Sequence, residues 1–257
     1  MLSWEIPELD KELGGILKQS FILIHEVDPR ARGKDILLHI LREKLKKDNL
    51  VGYFNISYPL HVLMRAFETS GINAREYLKR GNFTIIDTFG SFYDVISDLE
   101  GIWYLKGSIS AEVLPTKYVE VVEAHKKIWA ERGLFKGREL YGFTMDVSDY
   151  IEILGGELET LRYLEISAEL RAKARAYREY PKGTNFWLWG PKESSQVLAS
   201  VYRRATYVIR VRSELNGMEV VRYLEILKAP DLKSRIIKFK YHFKNGVPKL
   251  EKLSCDQ

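Results

Sequence analysis

Residues Asp28-Pro29-Arg30-Ala31-Arg32-Gly33-Lys34-Asp35 lie between a short apolar run, Phe21 to Glu26, and an amphipathic stretch carrying Ile36, Leu37, Ile40, Leu41 and Leu45. A GxxxxGK[ST] loop in that place would hold a triphosphate. Successive backbone N–H groups converge on the phosphates, the lysine neutralises the β and γ groups, and a hydroxyl ligates magnesium. Gly33 and Lys34 match; Asp28 replaces the first glycine and Asp35 the hydroxyl residue. Asp28 puts a Cβ into a tight turn and faces a carboxylate toward phosphate oxygens, which opposes ATP binding. Asp35 can ligate magnesium but adds negative charge, and it reads equally as an acidic residue in the first turn of a helix. Without its two neighbours, Lys34 reads as a solvated or ion-paired lysine, with Arg30 and Arg32 as partial compensation.

Two more places could carry chemistry. Asp146 ends the apolar run Leu140 to Asp146 and reads as a metal-binding strand-end aspartate or as a cap for the next turn. The run Phe186-Trp187-Leu188-Trp189-Gly190-Pro191 follows Gly183-Thr184-Asn185 at the end of a predicted strand. Trp187 and Trp189 share one face of that strand, as a groove for a peptide or base or as packed core. The five histidines are scattered, and the one cysteine, Cys255, excludes an intramolecular disulfide and a Cys-rich zinc site. No metal and no cofactor is expected.

The elements that must position these residues follow a regular order. Phe21 to Glu26, Asn49 to Ile56, Phe83 to Asp87 and Leu140 to Asp146 read as strands. Between and after them, Leu60 to about Thr69, Thr116 to Arg132 and Leu158 to Tyr180 read as helices, the last ending before Pro181. That last helix carries two apolar stripes, one with Leu161 and Leu164 and a second with Ile166 and Leu170, so it makes two contacts. The alternation predicts an α/β fold with a doubly wound, mostly parallel sheet covered on both faces.

The end of the chain differs. Ala205 to Leu215 and Met218 to Lys228 alternate around Asn216-Gly217, a type I′ turn signal, and Ile236 to Phe243 adds a strand, making an antiparallel meander. Lys238, Lys240 and His242 then face away from Ile237, Phe239, Tyr241 and Phe243, as on a half-solvated edge strand. No repeat or linker interrupts residues 1–257, so one domain is expected, with a core from about 4 to 245 and a polar tail.

The 46% apolar content suits a buried core, and the longest run without a charged residue, Asn49 to Met64, contains Pro59. The acidic opening MLSWEIPELDKE has no apolar leader pattern, so no membrane association and a cytoplasmic location are expected. Seven Asn and three Gln against 40 Lys plus Arg suit a hot habitat. Residues 201–257 hold 13 Lys and Arg against 6 Asp and Glu, enough to raise a nucleic-acid reading that would use Arg203, Arg204, Arg210 and Arg212.

The opening Leu9 to Ile24, with its leucine-aspartate and double glycine, resembles that of the KaiC-like RecA ATPases. The likeness continues through GYFNISYP, GINAREYLKRGNFTIID, the strand ending in Asp146 and YVIRVRSELNGMEVVRYLEILK, over roughly residues 4 to 245. The chain also resembles a small family of uncharacterised proteins of Thermococcales archaea. The resemblance implies a RecA/KaiC-like fold, with Asp146 at the Walker B position. It also implies a water-orienting glutamate pair where this chain has Ser57-Tyr58-Pro59. Lys228 stands for the lysine of a K-x-R pair that reaches a neighbouring subunit's nucleotide, but Pro230 takes the arginine's place. With phosphate cradle, metal hydroxyl and base all replaced, the chain reads as a pseudo-ATPase, monomeric or homodimeric, that binds a protein or peptide. Two alternatives stand beside it: a weak nucleotide binder using Lys34, Asp35 and Asp146, and the nucleic-acid binder.

Overall fold

The structure, a computed structural model, describes residues 1–192, 196–232 and 236–253. Cys255 lies outside them. In chain order the elements are α1 (Pro7–Leu13), β1 (Phe21–Glu26), a 3-10 turn (Pro29–Ala31), α2 (Gly33–Lys46), β2 (Leu50–Asn55), α3 (Leu60–Thr69), α4 (Ala74–Arg80), β3 (Phe83–Asp87) and α5 (Thr88–Tyr93). There follow β4 (Ile102–Trp103), α6 (Leu114–Glu131), β5 (Leu140–Thr144), a second 3-10 turn (Val147–Asp149), α7 (Tyr150–Ile153), α8 (Glu157–Lys173), α9 (Arg175–Arg178) and β6 (Thr184–Trp189). The chain closes with α10 (Gln196–Arg204), β7 (Tyr207–Asn216), β8 (Glu219–Lys228), β9 (Ile237–Lys244) and β10 (Val247–Lys252).

All ten strands join one sheet in the order β10-β9-β8-β7-β1-β6-β5-β2-β3-β4. Pairing is parallel from β7 through β4 and antiparallel from β7 to β10, the α/β sheet with a closing meander that the alternation predicts. Strands covered on both faces need side chains that are apolar at nearly every position, and β3 (FTIID) is buried throughout. On one face Ile22, Ile24, Tyr53, Phe143 and Phe186 pack under α1 to α4. On the other, Leu23, Ile86, Val208 and Trp189 pack under α6, α8 and α10.

Several expected boundaries move, each for a local reason. The helix expected from Leu158 to Tyr180 breaks at Ala174, whose ψ of 144° is extended. The break carries Ala176 into the core, where its carbonyl accepts a hydrogen bond from the buried Lys126 at 3.0 Å. Of α8 itself only Thr160, Tyr163 and Leu164 are buried, so the two expected stripes are not two buried faces. The first hairpin turns on Gly217-Met218, with Asn216 paired to Glu219 and only Gly217 at positive φ (62°), so it is not the I′ turn expected at Asn216-Gly217. A type I′ turn needs positive φ at both central residues, and Asn245 (52°) and Gly246 (71°) supply it. That second hairpin adds β10, so the sheet continues past the expected core limit at 245, and β9 lies between β8 and β10 rather than at the edge.

A buried ion pair ties the first residues to α2. Lys44, 1% exposed, lies 2.7 Å from Glu5 and donates to Ser3 O at 2.5 Å. Removing its ammonium leaves Glu5 with Lys47 as its ion-pair partner, at the edge of solvent. Lys44→Ala is expected to lower unfolding free energy by about 3 kcal/mol in urea titration. Lys46→Ala, which loses only a surface pair with Glu43, should change it by less than about 0.5 kcal/mol.

Candidate functional site

The carboxyl edge of the parallel strands is where an open α/β sheet presents its ligand crevice. β1 ends there in Glu26, a residue that sequence reasoning passed over although it is the only acid in that apolar strand. Its carboxylate is 2% exposed and accepts the Gly33 backbone N–H at 2.5 Å. Burial pushes the Glu26 carboxyl up to about 7; the Gly33 N–H and the Lys34 charge pull it back only in part. The amino end of α2, which carries partial positive charge, is thus met by a carboxyl group of the chain itself. Space is equally committed: a Cβ at Gly33 would lie 2.9 Å from Val211 Cγ2 and 3.2 Å from Leu188 Cδ1.

The loop before Gly33 is a folded turn rather than an open cradle. Asp28 caps it, accepting from Arg30 N at 3.1 Å, and reaches across to β7, where Ser213 N (2.8 Å) and Ser213 Oγ (2.7 Å) donate to its two oxygens. Burial raises the Asp28 carboxyl, but these hydrogen bonds outweigh it and hold the group below its ordinary range. Asp28 therefore stabilises the turn, where the sequence suggested a carboxylate set against phosphate. Ala31 is buried, and the Tyr241 hydroxyl donates to its carbonyl. Arg30 pairs with Asp28, and Arg32, at φ 58°, pairs with Asp35 at 2.6 Å while its guanidinium lies 4.3 Å from the Phe243 ring. Asp35 is an acidic first-turn residue of α2 bound to a neighbouring arginine.

Lys34 turns inward. Its Nζ lies 2.8 Å from Asp146 Oδ2 and 2.5 Å from the Tyr58 hydroxyl, and Tyr58 in turn donates to the same Asp146 oxygen. Burial works against the Lys34 charge, yet the Asp146 and Tyr58 bonds outweigh it and raise its pKa above the usual lysine value. Burial and the Asp146 charge push the Tyr58 hydroxyl up to about 12, so it stays protonated. Asp146 holds a left-handed backbone, φ 51°, with Oδ1 2.8 Å from where a Gly190 Cβ would stand. Tyr58 is set by Asn55 at the end of β2, whose Nδ2 donates to Tyr58 O (2.7 Å) and to Asp87 Oδ1 (2.8 Å). Ser57 contributes a buried hydroxyl without a partner. Three elements distant in sequence thus bring Lys34, Tyr58 and Asp146 together. Asn55 and Asp87, which position Tyr58, gave no motif to find them by.

The remaining candidates lie elsewhere. Lys228 Nζ donates to the carbonyls of Tyr202 (3.3 Å) and Arg203 (3.1 Å), neutralising the carboxyl end of α10. Trp189 is fully buried with Nε1 donating to Lys192 O, whereas Trp187 is half-buried and packs edge-on to Phe21 at 4.6 Å, so the two do not form one open aromatic groove. Of the arginines in the nucleic-acid reading, Arg210 and Arg212 both bind Glu225 and Arg204 binds Glu165, while Arg203 is exposed. Among the described residues no group of three His, Cys, Asp or Glu is placed to hold a metal, and no helix is long and apolar enough to cross a membrane.

No family model and no curated protein matches the sequence. Solved structures do. An uncharacterized protein of Pyrococcus horikoshii, crystallised in complex with an unknown peptide, is 50% identical over 99% of this chain and 100% of that one, with a TM-score of 0.94. A KaiC-like protein from the same archaeon is 14% identical over 97% and 98% of the two chains, TM-score 0.69. The flagellar accessory protein FlaH of Methanocaldococcus jannaschii is 18% identical over 95% of each, TM-score 0.60. The last two share the fold, the KaiC-like architecture that the sequence resemblance implies.

The Glu26 carboxyl gives this edge a pH signature. A carboxyl whose folded pKa is raised to about 7 from 4.5 binds more protons folded than unfolded across that window, so its ionisation weakens the fold as pH rises through it. Glu26→Gln, which keeps an acceptor for Gly33, is expected to match the parent protein at pH 4. By pH 8 it should exceed it by about 3 kcal/mol in denaturant titration. A difference that does not grow with pH refutes the assignment.

Proposed function

This chain belongs to the family of the uncharacterized Pyrococcus horikoshii protein, and from that premise we propose that it is a single-domain, non-catalytic relative of the KaiC-like ATPases that binds a peptide. The observation that carries the non-catalytic half is the engagement of Lys34 by Asp146 and Tyr58, together with Glu26 on the Gly33 amide. A triphosphate entering this edge has to displace a carboxyl group from the helix terminus and break a half-buried ion pair, with no compensating hydroxyl at Asp35 for magnesium. Tyr58 and Ser57 replace the water-orienting acids, and a tyrosine held protonated accepts no proton from water.

The peptide half rests on the relative, crystallised with a peptide, and on an apolar cleft beside the rebuilt site. Pro59, Leu60, Met64, Phe89, Val95 and Leu99 line a cleft of about 730 Å³ between α3 and the segment after α5. Val95, in its lining, and its chain neighbours Tyr93 and Ile96 are 62%, 59% and 67% exposed, exposed apolar residues of a kind that marks interaction surfaces. Asp87 lines the same cleft and keeps one buried carboxylate oxygen without a hydrogen-bond partner, an acceptor suited to a peptide N–H. This is the carboxyl edge of the sheet, so the peptide occupies the side of the molecule that an ATPase gives to its nucleotide.

Calorimetric titration with magnesium-ATP is expected to show no binding at micromolar concentrations. Micromolar affinity abolished by Lys34→Ala would instead make the chain a nucleotide binder. For peptides selected from a displayed random library, the Val95→Asp, Ile96→Asp double variant should lose at least about tenfold in affinity, read by fluorescence anisotropy. Unchanged affinity in that variant removes the cleft from the reading.

A further inference from the structure

A second cavity opens toward the amino ends of the strands, on the face covered by α6, α8 and α9. Gly52 of β2 and Gly142 of β5 are register partners, and Asn185 of β6 stands beside Gly142. Side chains are therefore missing from two adjacent strands, and a cavity of about 300 Å³ lies over them. Its walls include Phe54, Val122 and Tyr177. Gly142 has a local reason to be glycine, because its Cβ would stand 2.3 Å from Asn185 Oδ1. Gly52 has none: its Cβ would meet nothing closer than Thr84 Cγ2 at 3.9 Å, and its φ is not in the left-handed region. Close packing normally fills such space in a core. Here it stays open.

The charge around the cavity is one-sided. Lys126, Arg171 and Lys182 line it, and among the described residues no Asp or Glu does. Lys126 is 3% exposed and donates to the carbonyls of Ala176 (3.0 Å) and Pro181 (2.8 Å), with the Tyr177 ring 4.8 Å from its Nζ. An ammonium has three N–H donors, so one remains beyond these two carbonyls. Burial first, then the positive charges of Arg171 and Lys182, push the Lys126 amine down to about 8, with no carboxylate to offset them. His125, also lining the cavity, is driven down to about 3 by burial and by Lys126, and is therefore neutral. A buried cation without a counter-charge destabilises a fold, and an anion brought from outside would remove that penalty.

We propose that this cavity binds a small organic anion, a carboxylate or phosphate on an apolar or aromatic body. Lys126, Arg171 and Lys182 hold the charged group, and the body lies over Gly52 and Gly142 against Phe54 and Tyr177. The volume is at the lower end for ligand sites and suits a single ring rather than a nucleotide. Asn185 and Gln19, also in the lining, offer amide groups to orient it. The site is separate from the Lys34 edge and the apolar cleft and does not depend on either reading.

The test is isothermal titration of the full chain with phenyl phosphate and with benzoate, using benzyl alcohol as the uncharged control. At least one of the two anions is expected to bind with a Kd below about 1 mM, and benzyl alcohol is expected not to bind. The tighter anion identifies the headgroup as phosphate or carboxylate. Lys126 also supports the loop after α9, so the informative variants are Gly52→Leu, which fills the cavity without removing charge, and Arg171→Gln with Lys182→Gln at its mouth. With thermal melting confirming that each is folded, both should weaken anion binding at least about tenfold. The proposal is overturned by absence of saturable binding for both anions, by benzyl alcohol binding as tightly as benzoate, or by Gly52→Leu binding the anion like the parent chain.

Discussion

The amino end of a helix that starts at the carboxyl edge of a parallel sheet has N–H groups that must be satisfied and a partial positive charge that attracts an anion. In an ATPase that anion arrives with the substrate. Here the Glu26 carboxyl takes that place from within the chain, and the consequences spread outward. With Gly33 held by Glu26, the preceding residues fold into a short turn pinned by Asp28 to Ser213. Lys34 turns to Asp146 and Tyr58. Each replacement makes sense only with the others, since an unpaired Lys34 or an uncapped helix end in this half-buried place would destabilise the fold.

The same edge is tied together by side-chain hydrogen bonds. Tyr58 is fixed through Asn55, Asn55 through Asp87, and Asp87 through the Gly90 N–H, so a chain of hydrogen bonds runs along two neighbouring strand ends. Such a network specifies one arrangement well and rearranges poorly. The apolar cleft begins where that network stops, on the α3 side.

The strand and helix order was legible because it rests on long-period hydrophobic patterns that no single residue decides, and the KaiC-like likeness agreed with it. Shorter features were hidden. β4 has two residues, too few for a period, and the bend at Ala174 follows from a contact with Lys126 that lies 50 residues away along the chain from Ala176. The turn signal Asn245-Gly246 was present in the sequence but lay in a stretch read as polar tail, so β10 was missed. In the site, the loop positions were found by motif, whereas their charges were judged against an absent phosphate. What the aspartates contact instead, Ser213 for Asp28 and Arg32 for Asp35, depends on folding, and Glu26 matters only because a strand end and a helix start meet in space. Trp189 shows the converse: an aromatic run that could face either way is decided by the helical layer above it.

The last hairpin returns the chain to its beginning. Lys252 pairs with Glu12 at 2.7 Å, and the backbone N–H of Leu250 reaches Glu8, so β10 is stitched to α1 by side chains at opposite ends of the sequence. Proximity of this kind makes the order of the strands along the polypeptide separable from their order in space. The first helix and the last strand therefore hold each other in place, and the outermost strand of the sheet is fixed to the body of the fold by residues some 240 positions away along the chain.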